Sequence, residues 1–374
     1  MRRLTRSAVV LSALSLIGLL SCDGSPTAPT VAGSLHTGRI ENWPTASPAS
    51  RGVSAAVLEE LGQRIDAEEF GEISSLLIAR SGDLIYERYW DAWQPDDLHR
   101  VYSVSKSVTS LLVGIAQDDG TVPDLDTAVL DLLPGVSPSS HPAGKASITL
   151  RHVLTMRTGL KWDELSTNYS EGANPTIALA TSSDWLDFVM SLPFADEAGT
   201  RFAYNSGVSM LMAGVLASAA GMSAEDFAAE HLFDELGITD WFWSEGPQGL
   251  TNSGWGLRLR PRDMATIGQM VLQSGTWDGT EVVPASWIEE SGRAATRFVE
   301  GTGYGYQWWL PRDDGGRPPM AAWGYGGQFI VVIPSLELVV VSTAENFAGG
   351  GFTPYSLADW LYRAVEAAAP SSAR

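Results

Sequence analysis

Val101-Tyr102-Ser103-Val104-Ser105-Lys106-Ser107-Val108-Thr109-Ser110-Leu111-Leu112 (VYSVSKSVTSLL) is the stretch on which the reading of this chain turns. Ser103 and Lys106 stand three residues apart. On an α-helix such residues are surface neighbours, so a hydroxyl and an amine meet with no help from a distant element. The apolar positions Val104, Val108, Leu111, Leu112 and Ile115 recur at three- and four-residue steps, which predicts a helix packed against a core. A lysine on such a helix loses solvation and its pKa falls. A neutral amine can then take the serine's proton. Without context, the tetrad also fits a serine-capped helix start with a solvated lysine.

Lysine usage bears on that choice. Lys106, Lys145 and Lys161 are the only lysines among 24 basic residues, which leaves twenty-one arginines. Pro142 and Thr158, three residues before the other two lysines, are not nucleophiles in this pattern. A guanidinium does not deprotonate in a protein, so a base at this position has to be lysine.

The 374 residues, 44% hydrophobic, suffice for one large core or two modest ones. A net charge of −20 argues against nucleic acid as a partner, because phosphate binding needs a basic face. Arg2, Arg3 and Arg6 precede an apolar run from Ala8 to Leu20, the pattern of an export signal. Leu19-Leu20-Ser21-Cys22 resembles the bacterial lipoprotein box, with Cys22, the only cysteine, as the lipidated residue. The expectation is a lipoprotein signal over 1–22, held to the membrane by a lipid in the cell envelope. Plain secretion is the alternative.

Residues 23–50 are rich in Gly, Ser, Thr, Pro and Ala and read as a flexible tether. The catalytic domain is expected over 51–370. Strand-like runs occur at Ser74 to Ala79 and Leu84 to Tyr89, joined by an Arg80-Ser81-Gly82-Asp83 turn, and again at Tyr304 to Leu310, Gln328 to Ile333 and Leu336 to Ser342. Helical spacing covers Val53 to Glu69, Thr149 to Met156, Ser183 to Ser191, Ser206 to Ala219, Ala224 to Leu236, Pro261 to Ser274 and Tyr355 to Ala368. Strands at both ends with helices between predict a mixed α/β (α+β) fold. In it an antiparallel sheet lobe (51–100 with 255–370) is flanked by helices and carries an inserted all-helical lobe (101–254).

Acyl transfer by a Ser-Lys pair also needs a proton relay and an oxyanion hole. Tyr204, in Phe202-Ala203-Tyr204-Asn205-Ser206-Gly207, lies between an extended piece and a helix start, where a phenol can project into a cleft. Trp323-Gly324-Tyr325-Gly326-Gly327-Gln328 is a place where a backbone N–H can come close to a ligand. Each has a plain structural reading too, a half-buried aromatic before a helix cap and a glycine-rich bulge. No Gly-x-Ser-x-Gly elbow, P-loop or His-Glu-x-x-His is present, and five scattered histidines with one cysteine do not make a typical zinc site. No metal or organic cofactor is expected. His152 reads as structural, and Trp241, Trp243, Trp308, Trp309 and Trp323 mainly as core.

Together, Tyr102 to Ser110, Ile148 to Leu160, Phe202 to Gly207 and Gly324 to Gln328 resemble, in that order, the serine β-lactamase and penicillin-binding-protein superfamily. The resemblance covers roughly Ser54 to Ala368 and is to the branch similar to class C β-lactamases and their esterase relatives. It implies Ser103 as acylated nucleophile, Lys106 as its base partner and Tyr204 as proton relay. The oxyanion would lie between the N–H of Ser103 and one within Gly324, Tyr325, Gly326 and Gly327, Tyr325 foremost. Asn205 and Ser206 support them, Ser206 standing where class C enzymes have asparagine. That Tyr-x-Ser pattern resembles carboxylesterases and aminohexanoate-oligomer hydrolases.

The Lys-Thr-Gly strand of true β-lactamases is replaced by Trp-Gly-Tyr-Gly-Gly, which has no cation. A site without it is expected to favour neutral acyl groups, unless Arg258 or Arg260 supplies the charge from a loop. The expected activity is hydrolysis of a small ester or amide through an acyl-enzyme on Ser103. A β-lactamase or D,D-peptidase and a non-catalytic penicillin-binding-like sensor are the alternatives.

Overall fold

The computed structural model describes residues 43–136, 143–298, 301–311 and 319–347, together with the backbone of 33–36. Cys22, the signal segment and the closing helix expected over Tyr355 to Ala368 lie outside the described residues.

The main sheet has eight antiparallel strands drawn from both ends of the chain. Their order is Asp83–Tyr89, Ile73–Arg80, Leu338–Ala344, Gln328–Ile333, Met320–Gly324, Trp309–Leu310, Gly303–Tyr304 and Thr296–Arg297. Strand alternation sorts the side chains into two layers. Val339, Val341, Ile330 and Val332 join the large core beneath the helical lobe. Leu338, Val340, Val331 and Ile333 join a smaller core that the Ala55–Asp66 helix covers with Leu58, Leu61 and Ile65. Gly268 of the Pro261–Leu272 helix lets that helix sit directly on the first face, since a Cβ there would come within 2.6 Å of Val339 and 2.8 Å of Ile330.

The helical lobe is built around Val104–Asp118 and Ser206–Ala220, two helices buried along nearly their whole length. Their contact is what places Ser103 and Tyr204 near one another. Helical spacing located both. The Ala224 to Leu236 segment is helical throughout, with a π-helical turn at Ala229–Phe233.

A second antiparallel sheet was not read from the sequence. It runs Gly33–His36, Trp241–Ser244, Leu257–Leu259 and His99–Arg100. These strands are two to four residues long and come from distant parts of the chain, so no local pattern announces them. Part of the segment read as a tether sits on the domain. The Trp43 indole donates to the Gly82 carbonyl at 2.9 Å, Thr45 bridges Leu84, and Pro48–Arg51 forms a 3-10 turn capped by Ser47. Burial of one tryptophan outweighs the weak structural preference of its polar neighbours.

Candidate active site

Ser103 occupies the cap position of the Val104–Asp118 helix, yet its hydroxyl caps nothing. The residue before it explains how it is presented. Tyr102 has φ 46°, a left-handed conformation that costs a bulky side chain about 1–3 kcal/mol. Three hydrogen bonds hold it there. Its carbonyl accepts from the N–H of Ser105 at 3.0 Å and from the Ser105 hydroxyl at 2.6 Å, and that hydroxyl accepts from the N–H of Leu257 at 3.1 Å.

Lys106 is buried, with 1% of its surface exposed. Its Nζ donates to Ser103 Oγ at 2.8 Å and to the Gly254 carbonyl at 2.7 Å, and lies 5.1 Å from the centre of the Tyr204 ring. Burial pulls its pKa down to about 8, against a smaller opposing pull from Glu164. The amine is therefore within reach of its neutral form near physiological pH, which an exposed lysine is not.

Tyr204 is held from both sides in sequence. The N–H of Ala203 donates to the Met156 carbonyl at 2.9 Å, and the Asn205 side chain accepts from the N–H of Val208 to start the Ser206–Ala220 helix. Its ring stacks on Trp309 at 5.4 Å. Trp309 therefore backs the phenol, and Trp323 packs edge-on to Trp309 and against the smaller core, whereas Trp241, Trp243 and Trp308 are buried core residues as expected.

Two participants escaped the sequence reading. Glu164 is buried in the loop after Leu160. It accepts from the N–H and hydroxyl of Ser206, both at 2.7 Å, from the Trp162 indole at 2.5 Å and from the Tyr169 hydroxyl at 3.0 Å. Four donors thus converge on this carboxylate, whose charge acts on Lys106. Ser206 thus reaches the lysine through Glu164. The second participant, the Gly254 carbonyl, is a backbone atom fixed by its loop. Asn252 Oδ1 accepts from the N–H of Trp255 at 3.1 Å, and Ser253 Oγ donates to the Ser209 carbonyl at 2.7 Å.

Gly324 ends the Met320–Gly324 strand, and Tyr325, Gly326 and Gly327 form the turn into Gln328. A Cβ at 324 would lie 2.2 Å from the Val101 carbonyl, so glycine is what lets this strand end touch the segment that carries Ser103. Among the described residues, no hydrogen bond uses the N–H of Ser103 or of Tyr325. Two unpaired donors on segments in contact can receive a developing oxyanion. The Tyr325 ring packs edge-on to Tyr102 and to Tyr169, at 5.8 and 5.0 Å between ring centres.

The remaining sequence candidates divide. His152 completes a capping box with Thr149. Arg260 is occupied by Asp263 at 2.9 and 3.1 Å and by Asp240 at 2.6 Å, which removes it as a cation for substrate. Arg258 is not so engaged. Among the described residues, no group of three or more His, Cys, Asp and Glu side chains is arranged to hold a metal ion.

The beta-lactamase family model matches residues 70–354, and the chain belongs to that family. A 6-aminohexanoate-dimer hydrolase of Paenarthrobacter ureafaciens is 24% identical over 339 residues, 83% of this chain and 82% of that protein. Among solved structures, a proposed 6-aminohexanoate-dimer hydrolase from Bacillus anthracis superimposes with a TM-score of 0.75 at 17% identity, covering 90% of this chain and 91% of the other. A family VIII carboxylesterase gives 0.64 at 18% identity, over 88% and 99%. By family and by its hydrolase relatives, the chain is a serine hydrolase.

Proposed function

We propose that this enzyme cleaves a small ester or amide through an acyl-enzyme on Ser103. The observation that carries the reading is the 2.8 Å contact between Ser103 Oγ and a buried amine whose pKa is lowered to about 8. Neutral Lys106 takes the hydroxyl proton as Oγ attacks the carbonyl carbon. The N–H groups of Ser103 and Tyr325 receive the oxyanion. Tyr204 relays the proton to the leaving alcohol or amine, and water then adds to the acyl carbon and releases the acid with Ser103 regenerated. The carboxylesterase and the 6-aminohexanoate-dimer hydrolase among the similar proteins support this substrate class.

A fluorophosphonate probe and a short-chain nitrophenyl ester, each with the wild type and Ser103→Ala, test the assignment. Labelling and turnover are expected in the wild type alone. Equal behaviour of the two proteins would sink it. We further propose that Cys22 is lipidated in the cell envelope, on the strength of its sequence setting. Metabolic labelling with an alkynyl fatty acid is expected to mark the wild type and not Cys22→Ser.

A further inference from the structure

Arg100 and Arg258 stand directly opposite each other in the second sheet. Their neighbours His99, Val101, Leu257 and Leu259 are buried, so strand alternation turns both guanidinium groups to the outer face. Like charges opposite one another destabilise an antiparallel pair. Several neighbouring or buried arginines of this protein are neutralised by carboxylates. Arg260 meets Asp263 and Asp240, Arg262 meets Glu87, and Arg151 meets Asp126. Here no carboxylate acts on Arg258; only burial, Arg100 and Tyr102 do. Arg258 is held over the Phe242 ring at 5.0 Å, which fixes the cation without discharging it.

The pair is not remote from the nucleophile. The charges of Arg100, Glu345 and Arg258 all act on the Tyr102 hydroxyl, and Tyr102 directly precedes Ser103 and packs edge-on to Tyr325. A substrate joined to Ser103 and lying along the Tyr102 ring would bring its far end to the two guanidinium groups. In a protein of net charge −20, long-range forces repel anions, so an anion is retained only where local cations are left uncompensated.

We propose that Arg100 and Arg258 form a subsite for a carboxylate carried by the substrate, one tyrosine ring away from the bond that is cut. The proposal rests on the acyl-enzyme reading of Ser103, and it replaces the expectation of a wholly neutral substrate. Arginine suits the task because its planar fork matches a carboxylate.

Two matched pairs of esters test it. On the acyl side, the mono-4-nitrophenyl ester of adipic acid is compared with 4-nitrophenyl hexanoate. On the leaving-group side, 3-carboxyphenyl hexanoate is compared with 3-methylphenyl hexanoate. In at least one pair the carboxylated ester is expected to show a kcat/KM roughly tenfold higher, mostly through KM. The Arg100→Gln/Arg258→Gln double variant is expected to bring that ratio close to one, and high salt to erode it in the wild type. No preference in either pair, or a preference that survives in the double variant, overturns the proposal. If no ester is turned over, the acyl-enzyme reading falls separately. The subsite is then decided by thermal stabilisation with adipate, kept if a wild-type shift is lost in the double variant and rejected if there is none.

Discussion

Two lysines in this molecule share nearly every property by which a catalytic lysine is usually recognised, and only one of them faces a serine hydroxyl. Lys106 and Lys145 are 1% and 2% exposed. Burial lowers both to about 8. Each donates to a backbone carbonyl, Gly254 for one and Leu192 for the other, and each lies against an aromatic ring, Tyr204 at 5.1 Å and Phe194 at 4.2 Å. Lys106 alone adds a hydroxyl at 2.8 Å and the charge of Glu164. A depressed pKa is therefore a consequence of burial in both places. It becomes chemistry only where a proton donor that can attack a carbonyl sits within hydrogen-bond reach.

The comparison breaks most sharply if the two lysines prove interchangeable in their effect on rate. Ser103→Ala and Lys106→Ala are each expected to lower kcat/KM by about a thousandfold or more, while Lys145→Met stays close to wild type in the same ester assay. The pH profile sharpens the contrast. The proposed mechanism requires the neutral amine, so kcat/KM should rise with pH through about 8. Glu164 raises the Lys106 pKa, hence Glu164→Gln should move that limb to lower pH, and Lys145→Met should leave it in place.

Smaller effects concern stability. Ser206→Ala removes one hydroxyl donor from a buried carboxylate, and urea denaturation should show a loss of about 1–3 kcal/mol. Both lysines bind a proton less tightly when folded than at the ordinary value of 10.5. Between about 8 and 10.5 the unfolded chain therefore holds more protons, and folded stability should increase with pH across that window. Below about 8 the burial penalty is present in full. Lys145→Met should make the rise shallower by one proton's share, with a net change at neutral pH under about 1.5 kcal/mol.

Much of this site was legible in the sequence because its parts are local. Ser103 and Lys106 share one helix turn, and Tyr204 sits beside the start of a helix whose apolar residues betray it. Arg260 shows the limit of residue type as a guide: its placement near the site was foreseeable, and its capture by Asp263 and Asp240 was not. Glu164 had no periodic pattern around it, and its partner Ser206 is 42 residues away. The Gly254 carbonyl carries no side-chain signature at all. The second sheet stayed hidden for the same reason, since its strands are too short for alternation to register, and with it the facing of Arg100 and Arg258.

Gln307 bears on how substrate enters. This buried residue lies between two strands of the main sheet, in a left-handed conformation with φ 61°. Its amide donates to the carbonyls of Val153 and Leu154 and accepts from Ser209, while its own carbonyl accepts from Ser107. One side chain and its backbone thus clasp the helix that follows Ser103, the helix that follows Tyr204 and the short Leu150–Leu154 helix to the sheet. Parting the lobes would rupture all four bonds in a dry interior, so the lobes travel as a single block. A substrate therefore has to reach Ser103 without the lobes coming apart, past the loops that border the site.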